Sequence, residues 1–290
     1  MNGFWYTLLV RIASLCGSWF FAAIARSIAT GYFLFSWRKV EESCRFYAAL
    51  YPERSRLYHL SCTFKQYQNF TTIHFDRFMQ GRMGETAFTT EGWEKLEAVI
   101  DRQGGILLMS HLGNWEMAAT LLKKKRANLR LLLYMGVKEK EGVERLQKED
   151  LRRAGVTIIG VDQEDNSPFS AVEGIHFLRS GGLVSMTGDI VWRADQRKVR
   201  VDFLGHNAYL PEAPFIFSLV SGAPLFVFFA FRTGKNNYHV TLSDPIPIPP
   251  HSRKDRADAI GQAAQRYADL LEQSLRRHPF EWYHFDRFID

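Results

Sequence analysis

The chain has 290 residues, of which 46% are apolar and 23% are charged, and its formal net charge is +6. This composition is typical of a protein that buries a hydrophobic core, and the length permits one large domain or two small ones. The basic charge permits nucleic acid, an anionic membrane surface or an acidic substrate as a partner and does not choose among them. Cys16, Cys44 and Cys62 have no CxxC spacing, which argues against a disulfide framework or a zinc site and favours a reducing compartment.

Residues 4–37 form a strongly apolar N-terminal segment that is interrupted only by Arg11 and Arg26. Its longest charge-free run, Ile12–Ala25, is shorter than the roughly 20 residues that a membrane-spanning helix needs. No basic residue precedes Arg11, unlike in a secretory signal. The segment is therefore a buried helix or a helix in the membrane interface, and its Trp and Phe content favours membrane contact.

A second helical region follows over residues 38–80, where the pattern is amphipathic and is broken at Pro52. We expect residues 1–84 to form an N-terminal membrane-associating helical region. The string HFDRF occurs in it at 74–78 and again at 284–288. Because the flanking residues differ, chance or two packing edges explain the two copies better than an internal repeat does.

From residue 85 onward, short apolar runs alternate with helical patterns of about 10–15 residues, which is typical of an α/β layer with a largely parallel sheet. The predicted strands cover 105–110, 128–134, 156–161, 183–189, 197–205, 223–231 and 237–245, and the predicted helices cover 92–103, 114–126, 141–155, 169–182 and 254–277. The last three strands have little helix between them, so we expect a mixed sheet. The sequence thus predicts a single α/β domain over residues 85–290, with a mixed, largely parallel central sheet flanked by helices.

The stretch GILLMSHLGNWE at residues 105–116 carries the clearest candidates for catalysis, His111 and Glu116. On one regular helix these two side chains would lie about 140° apart around the axis, so a working pair needs a break between them. Gly113 permits the backbone angles of a tight turn, and Asn114 is a favourable N-cap. The sequence therefore supplies the break that the pair requires.

The predicted local structure is a strand over 106–110, a turn over 111–113 and a helix from Trp115. His111 then lies at the carboxyl end of a strand, where open α/β sheets bind ligands, and Glu116 lies in a first helical turn, where the helix dipole favours its charge. A carboxylate that holds one imidazole nitrogen leaves the other free to accept a hydroxyl proton, and N–H groups of the turn and helix start could meet an oxyanion. The spacing alone does not distinguish this pair from a turn histidine beside an unrelated charge.

Other catalytic classes have little support in the sequence. It contains no GxSxG elbow, Walker loop or dinucleotide fingerprint. Ser110 precedes His111 on a strand, where neighbouring side chains point to opposite faces. Cys44 and Cys62 lie in helical patterns without an activating partner, so direct attack by a hydroxyl is simpler than a covalent thiol intermediate.

Two basic stretches each allow a structural and a functional explanation. KKKR at 123–126 forms the C-terminal end of the helix predicted over 114–126. It is either solvated surface or a docking site for an acidic carrier protein or lipid phosphates. WRADQRKVR at 192–200 puts Arg193 beside the presumed site. Its arginines either bind a phosphate or guard an edge strand with charge.

Several blocks, in order along the chain, resemble the lipid A late acyltransferases (the lauroyl/myristoyl transferase family), which are relatives of the glycerolipid acyltransferases. SHLGNWEMAA is similar to the HX4E block of that family, GGLVSMTGD to its Gly-strand-Asp block, and HPFEWYHFDRF to its Pro-x-x-Trp ending. Residues 199–231 resemble its segment of a turn, a proline, a helix and Gly-Ala-Pro before a strand. With the apolar N-terminal anchor, the resemblance covers most of residues 1–288.

The resemblance implies transfer of a fatty acyl group from a thioester, on acyl carrier protein or on CoA, to a hydroxyl of a lipid A-like glycolipid. It implies no metal and no cofactor beyond that co-substrate, and action at the cytoplasmic face of the cell inner membrane. His111 would be the general base and Glu116 its partner. The residues with supporting or binding roles by this resemblance are Asn114, which shapes the turn, Asp189, and either Arg152 or Arg153.

The acceptor stays open at this point because the sequence departs from the close lipid A enzymes. Apolar Ile190, Val191 and Trp192 follow Asp189 where those enzymes carry polar residues, and YLPEAP replaces their Thr-Pro-x-Gly step. A phosphoglycolipid, another outer-membrane lipid or a lysophospholipid is an alternative acceptor. A non-catalytic basic protein that binds membrane or carrier protein, with this fold as its scaffold, is an alternative of a different class.

Overall fold

A computed structural model of the protein describes residues 18–79, 86–137, 151–152, 155–162, 168–191, 195–234, 236–249, 252 and 254–290. Most of the predicted helix over 141–155 therefore lies outside the described residues. The first part of the apolar N-terminal segment, up to residue 17, lies outside them entirely.

In the described part of the N-terminal region, residues 18–79, the chain forms three helices: α1 (Ser18–Phe35), α2 (Trp37–Leu50) and α3 (Arg56–Met79). The predicted break at Pro52 is confirmed, since a turn separates α2 from α3 there. Among the described helices, none is by itself long and apolar enough to cross a membrane. The pair Trp19–Phe35 and Trp37–Leu50 meets that requirement only when its two members, bent by 90°, are taken together.

A mixed, largely parallel sheet of seven strands forms the centre of the described part of the chain, as the sequence predicts. The strands are β1 (Ala87–Glu91), β2 (Gly105–Met109), β3 (Leu131–Val137), β4 (Thr157–Asp162), β5 (Leu183–Thr187), β8 (Leu225–Gly234) and β9 (Asn237–Leu242). Their order in the sheet is β1-β9-β8-β2-β5-β3-β4, and only the β8–β9 pair is antiparallel.

The strand predicted over 197–205 lies in a separate antiparallel hairpin instead of the central sheet. It forms β6 (Lys198–Phe203), which pairs with β7 (His206–Pro211). The side chains of β6 alternate between exposed and buried at the end of the strand, as expected when one face packs on the core and the other faces water. The mixed character of the central sheet therefore comes from β9 and β1, which run opposite to the other five strands, and not from the strand predicted over 197–205.

The described residues after β1 form five further helices: α4 (Trp93–Gln103), α5 (Trp115–Lys125), α6 (Pro168–Arg179), α7 (Ala213–Ser221) and α8 (Arg256–Arg277). The helices cover both faces of the central sheet. The residues of β2 show this, since all of them are buried although their side chains alternate between the two faces. Ile106 and Leu108 join one core cluster, which includes residues of α8, whereas Leu107 and Met109 join a second cluster, which includes residues of α4 and α5.

The N-terminal helices share the first of these cores with the sheet. Phe46, Tyr47 and Leu50 of α2 and Cys62 of α3 belong to the same buried cluster as Ile106. The division of the chain into regions before and after residue 84 stays a prediction.

Candidate active site

The turn after β2 has the predicted conformation. β2 ends at Met109, α5 begins at Trp115, and Gly113 between them has φ of +78°, in the left-handed region that favours glycine. A Cβ at residue 113 would lie 2.4 Å from the carbonyl oxygen of Ala230. Glycine is therefore required here both for the backbone angle and for the close approach of β8.

The predicted N-cap is confirmed. The Oδ1 atom of Asn114 accepts a hydrogen bond from the backbone N–H of Met117 at 3.2 Å. The Nδ2 atom of Asn114 donates to the hydroxyl of Tyr238 at 3.2 Å, and that hydroxyl donates to the carboxylate of Asp76. Asn114 thus joins the start of α5 to β9 and to the N-terminal helix α3.

The carboxylate of Asp76 also lies beside a cation. The Nε atom of Arg232 on β8 is 3.1 Å from Oδ1 of Asp76. Burial raises the pKa of Asp76 above its usual value, against the opposing effects of Tyr238 and Arg232. Burial and the nearby Asp76 raise the pKa of Tyr238, so its hydroxyl stays protonated and can donate.

His111 lies just beyond the carboxyl end of β2, and its closest described partner is Asp189. The imidazole Nδ1 atom is 3.0 Å from Oδ1 of Asp189, and the backbone N–H of His111 donates to Oδ2 at 2.7 Å. A carboxylate accepts hydrogen bonds and does not donate them, so Nδ1 carries the proton in this pair and Nε2 is the basic nitrogen. The side chain of Asp189 is fully buried, whereas that of His111 is 26% exposed.

Parallel strand register brings these two residues together. β2 pairs with β5 so that Met109 lies opposite Thr187, and residues 111 and 189 follow at the same offset. The backbone N–H of Gly188 donates to the carbonyl of Met109 at 2.8 Å, which extends the ladder beyond the strands. The two side chains therefore meet at the carboxyl edge of the sheet, the edge predicted for the site.

Burial alone would raise the pKa of Asp189, but the His111 imidazole and the hydrogen bonds from His111 outweigh it and hold the pKa below its usual value. The side chain therefore stays a carboxylate at neutral pH.

This depressed pKa predicts how stability depends on pH. Since the native pKa of Asp189 is below its unfolded value, the carboxylate contributes stability that is fully present above about pH 4 and is lost as the pH falls through the native pKa. We expect the difference in unfolding free energy between wild type and Asp189→Asn, measured with urea, to shrink as the pH falls below about 4. A difference that grows over this acidic range would contradict a charged Asp189.

The backbone N–H groups of the turn are already engaged. Those of His111, Leu112, Gly113 and Asn114 donate, respectively, to Asp189, the Ser110 hydroxyl, and the backbone carbonyls of Glu281 and Ala230. The turn is therefore not available as an oxyanion hole, although the sequence suggested it. Of the predicted donors, the first turn of α5 is left.

Glu116 lies in the first turn of α5, as predicted, and is partly buried. In this geometry Nδ1 of His111 contacts Asp189. The catalytic role of Glu116 stays a prediction.

Of the predicted arginines only Arg152 lies among the described residues, and it is not brought to His111. Arg152 is exposed and precedes the amino end of β4, and the neighbouring Gly155 lies against Lys123 near the end of α5. Because β4 runs parallel to the strands beside it, this is the edge of the sheet opposite to His111. Arg153 and Arg193 lie outside the described residues.

The two basic stretches make local contacts. The ammonium group of Lys123 donates hydrogen bonds to the backbone carbonyls of Ala127 and Leu129, which follow the C-terminus of α5. On the β6–β7 hairpin, Arg197 lies 3.4 Å from Glu212 and Arg200 donates to Asn207. These contacts favour the structural explanation for the residues described.

The described cysteines do not provide a nucleophile. Cys44 and Cys62 are buried, and burial raises the pKa of both thiols, which keeps them in the unreactive protonated form. No group of histidine, cysteine and acidic side chains that could hold a metal ion occurs among the described residues. Ser110 is buried, and its hydroxyl accepts the N–H of Leu112.

Sequence reasoning missed the contribution of the C-terminal tail. The Nε1–H of Trp282 donates to Oδ2 of Asp189 at 3.0 Å, so this carboxylate has three donors. The only signal for Trp282 in the sequence is the Pro-x-x-Trp ending. Likewise Asp76, which lies in the first HFDRF string, carried no signal for its contact with Tyr238.

The fold and the site define an α/β protein whose histidine–carboxylate centre at the sheet edge is suited to general-base chemistry. The model of the bacterial lipid A biosynthesis acyltransferase family matches residues 63–288, which include the whole site. The chain belongs to this family and is therefore an acyltransferase. A search of curated proteins finds no match to the chain.

The importance of Gly113 predicts a measurable loss of stability. Gly205 in the β6–β7 turn has a similar φ of +75° but open space around it, so Gly205→Ala should cost only the backbone strain of about 1–2 kcal/mol. Gly113→Ala should cost a further 1–3 kcal/mol or so, because its methyl group meets a carbonyl of β8. Urea unfolding of both variants checks this, and equal losses would contradict the close approach.

Proposed function

We propose that this protein is a membrane-associated O-acyltransferase that moves a fatty acyl group from an acyl thioester to a hydroxyl of a lipid A-like glycolipid. The observation that carries the proposal is the His111–Asp189 pair at the carboxyl edge of the sheet, in a chain of this family. The pair provides a partly exposed basic nitrogen with a buried, charged partner behind it.

The reaction needs a base for the acceptor hydroxyl. Nε2 of His111 takes the hydroxyl proton as the oxygen attacks the thioester carbonyl carbon, and the Asp189 carboxylate stabilises the imidazolium that forms. As the tetrahedral intermediate collapses, the new C–O ester bond is retained and the C–S bond breaks. The imidazolium returns its proton to the departing thiolate, so the protein ends the cycle unchanged.

The carbonyl oxygen carries negative charge in the intermediate and needs donors of its own. The turn cannot provide them, since its N–H groups are bonded within the protein. The start of α5 favours negative charge through its dipole, and its first turn is next to His111. We therefore assign the oxyanion to this helix start, with Glu116 as a second carboxylate of the centre.

Apolar exposure supports the membrane association of the N-terminal region. Of the large hydrophobic side chains that are exposed in the described part of the chain, all but Val172 and Val220 belong to α1, α2 and α3. Phe35 is 88% exposed and Trp19 is 69% exposed. Single exposed apolar side chains are ordinary, but a concentration of this kind on neighbouring helices suits a lipid surface. The exposed side chains are Trp19, Ile28, Tyr32, Leu34, Phe35, Trp37, Leu57, Tyr58 and Phe64.

The donor, the acceptor and the location are parts of the proposal. The donor is an acyl group on acyl carrier protein or on CoA, the acceptor is a glycolipid, and the reaction takes place at the cytoplasmic face of the inner membrane. The alternative acceptor is a phosphoglycolipid, another outer-membrane lipid or a lysophospholipid. The reason is that the residues after Asp189 differ from those of the close lipid A enzymes.

The test is a transfer assay with purified protein. Acyl carrier protein and CoA, each loaded with the same labelled acyl chain, are mixed with vesicles of a bacterial lipid extract, and the labelled lipid is identified by mass spectrometry. We expect an ester product on a glycolipid from one of the two donors. A product on a lysophospholipid would correct the acceptor. No labelled lipid and no thioester hydrolysis with either donor would favour the non-catalytic scaffold.

A further inference from the structure

Trp282 is the one side chain of the described residues, apart from His111, that hydrogen-bonds to the Asp189 carboxylate. Its Nε1–H lies 3.0 Å from Oδ2, which also accepts the backbone N–H of His111, while Oδ1 faces the imidazole. Three donors on two oxygens determine the plane of the carboxylate group. The orientation of Asp189 toward Nδ1 of His111 therefore depends in part on the indole.

Backbone hydrogen bonds join the C-terminal tail, residues 278–290, to the catalytic turn, residues 111–113. The N–H of Gly113 donates to the carbonyl of Glu281 at 2.9 Å, and the N–H of Tyr283 donates to the carbonyl of His111 at 2.8 Å. Leu112 and Trp282 form an antiparallel bridge between these two bonds. The backbone of Trp282 is thus held in a constant register with His111.

The indole is also fixed by what surrounds it. It is 1% exposed and packs against Phe46 of α2, Phe203 of β6 and Phe288 of the tail, with ring centroids 4.9, 5.6 and 4.8 Å away. The buried amide of Gln66 on α3 donates to the carbonyl oxygen of Trp282. Contacts with separate elements of the fold therefore fix the position of the indole independently of its hydrogen bond to Asp189.

We propose that Trp282 is a positioning residue for acyl transfer, which acts through Asp189 on the tautomer and orientation of His111. This inference rests on the proposed function of the His111–Asp189 pair. A tryptophan that served packing alone could use any backbone carbonyl as its acceptor. Here its one hydrogen-bond donor is committed to the carboxylate that holds the basic imidazole.

Among the described residues, the other titratable groups that interact with Asp189 are His284 of the tail and Tyr267 of α8. Burial lowers the pKa of His284, against the attraction of Asp189, and burial raises the pKa of Tyr267 well above its usual value. Both changes favour the neutral forms.

The test replaces the donor and keeps an aromatic ring. Trp282→Phe should lower kcat by about 10- to 100-fold, the equivalent of one hydrogen bond to a charged group, with KM for the acyl thioester changed by less than about twofold. Trp282→His should recover part of kcat, since its Nε2 corresponds in position to the indole Nε1. The pH profile of kcat should shift in Trp282→Phe and return toward the wild-type profile in Trp282→His.

Trp93→Phe is the matched control. Trp93 is buried in the second core cluster, on the opposite face of the sheet, so its replacement should reduce stability and leave kcat and the pH profile unchanged. The inference is overturned if Trp282→Phe keeps wild-type kcat, or if Trp282→His folds and is no more active than Trp282→Phe. Should Trp282→Phe not fold, Trp282→His decides alone, and wild-type KM with a partial kcat is the result expected. If the wild-type protein transfers no acyl group, the proposed function itself is wrong, and this inference falls with it.

Discussion

Replacing His111 with alanine is expected to lower kcat by about 10²- to 10⁴-fold, because the acceptor hydroxyl then loses the base that takes its proton. The fold should be retained, since the imidazole is partly exposed and its backbone keeps its bonds to Asp189 and Tyr283. Initial rates of acyl transfer, with circular dichroism to verify folding, measure the effect.

A comparison with Glu116 sharpens this result. Glu116→Ala should lose less activity than His111→Ala, because the pair of His111 with Asp189 persists without it. If Glu116→Ala abolishes transfer and His111→Ala does not, the base has been assigned to the wrong residue.

Replacing Asp189 with asparagine is the second change with a large expected effect, a loss on the order of 10²- to 10⁴-fold in kcat. Asparagine has nearly the same shape, but its amide nitrogen is a donor and must face another donor, either Nδ1–H of His111 or the N–H groups at Oδ2. Because two N–H groups meet the Oδ2 position and only Nδ1 meets Oδ1, the amide nitrogen faces Nδ1 of His111. The imidazole then turns to its other tautomer, and Nε2 is no longer the basic nitrogen. Heteronuclear NMR of ¹⁵N-labelled histidine reports the tautomer directly.

Asp244→Asn is the control for the change of charge. Asp244 is exposed and lies 2.8 Å from Lys95, so it is also an ion-paired aspartate, but one that is remote from the catalytic turn. We expect its kcat to equal that of wild type. Wild-type activity in Asp189→Asn together with a large loss in Glu116→Gln would return the orienting role to Glu116.

The sequence was sufficient for the local structure of the catalytic turn. Gly113 and Asn114 predict the break between β2 and α5, because a positive φ and an N-cap depend on the residue types themselves. The layered α/β arrangement with a largely parallel sheet is predicted for a similar reason, since the alternation of apolar runs with helices is a property of the chain itself.

The pairing of His111 with Asp189 could not be predicted in this way. β5 follows β3 and β4 along the chain, yet it lies beside β2 in the sheet. Strand order and register arise from packing over the whole domain, and a shift of one residue would turn Asp189 away from His111. The family resemblance indicated that Asp189 matters, but not that it contacts the imidazole.

The hairpin and the tail depend even more on tertiary contacts. The apolar alternation of residues 198–203 predicts a strand but not its partner, which is β7 and not the central sheet. Trp282 lies 93 positions beyond Asp189, in a segment without long regular structure. Its place beside His111 is set by the hydrogen bonds of Gly113 and Tyr283, which no local pattern encodes.

Chemical rescue tests the central claim, that His111 is the base of acyl transfer, most directly. The His111→Gly variant is assayed for transfer of a labelled acyl group with increasing concentrations of free imidazole. We predict a rate that is very low without imidazole and rises toward saturation as imidazole occupies the space beside Asp189. Transfer by His111→Gly at the wild-type rate in the absence of imidazole would contradict the account.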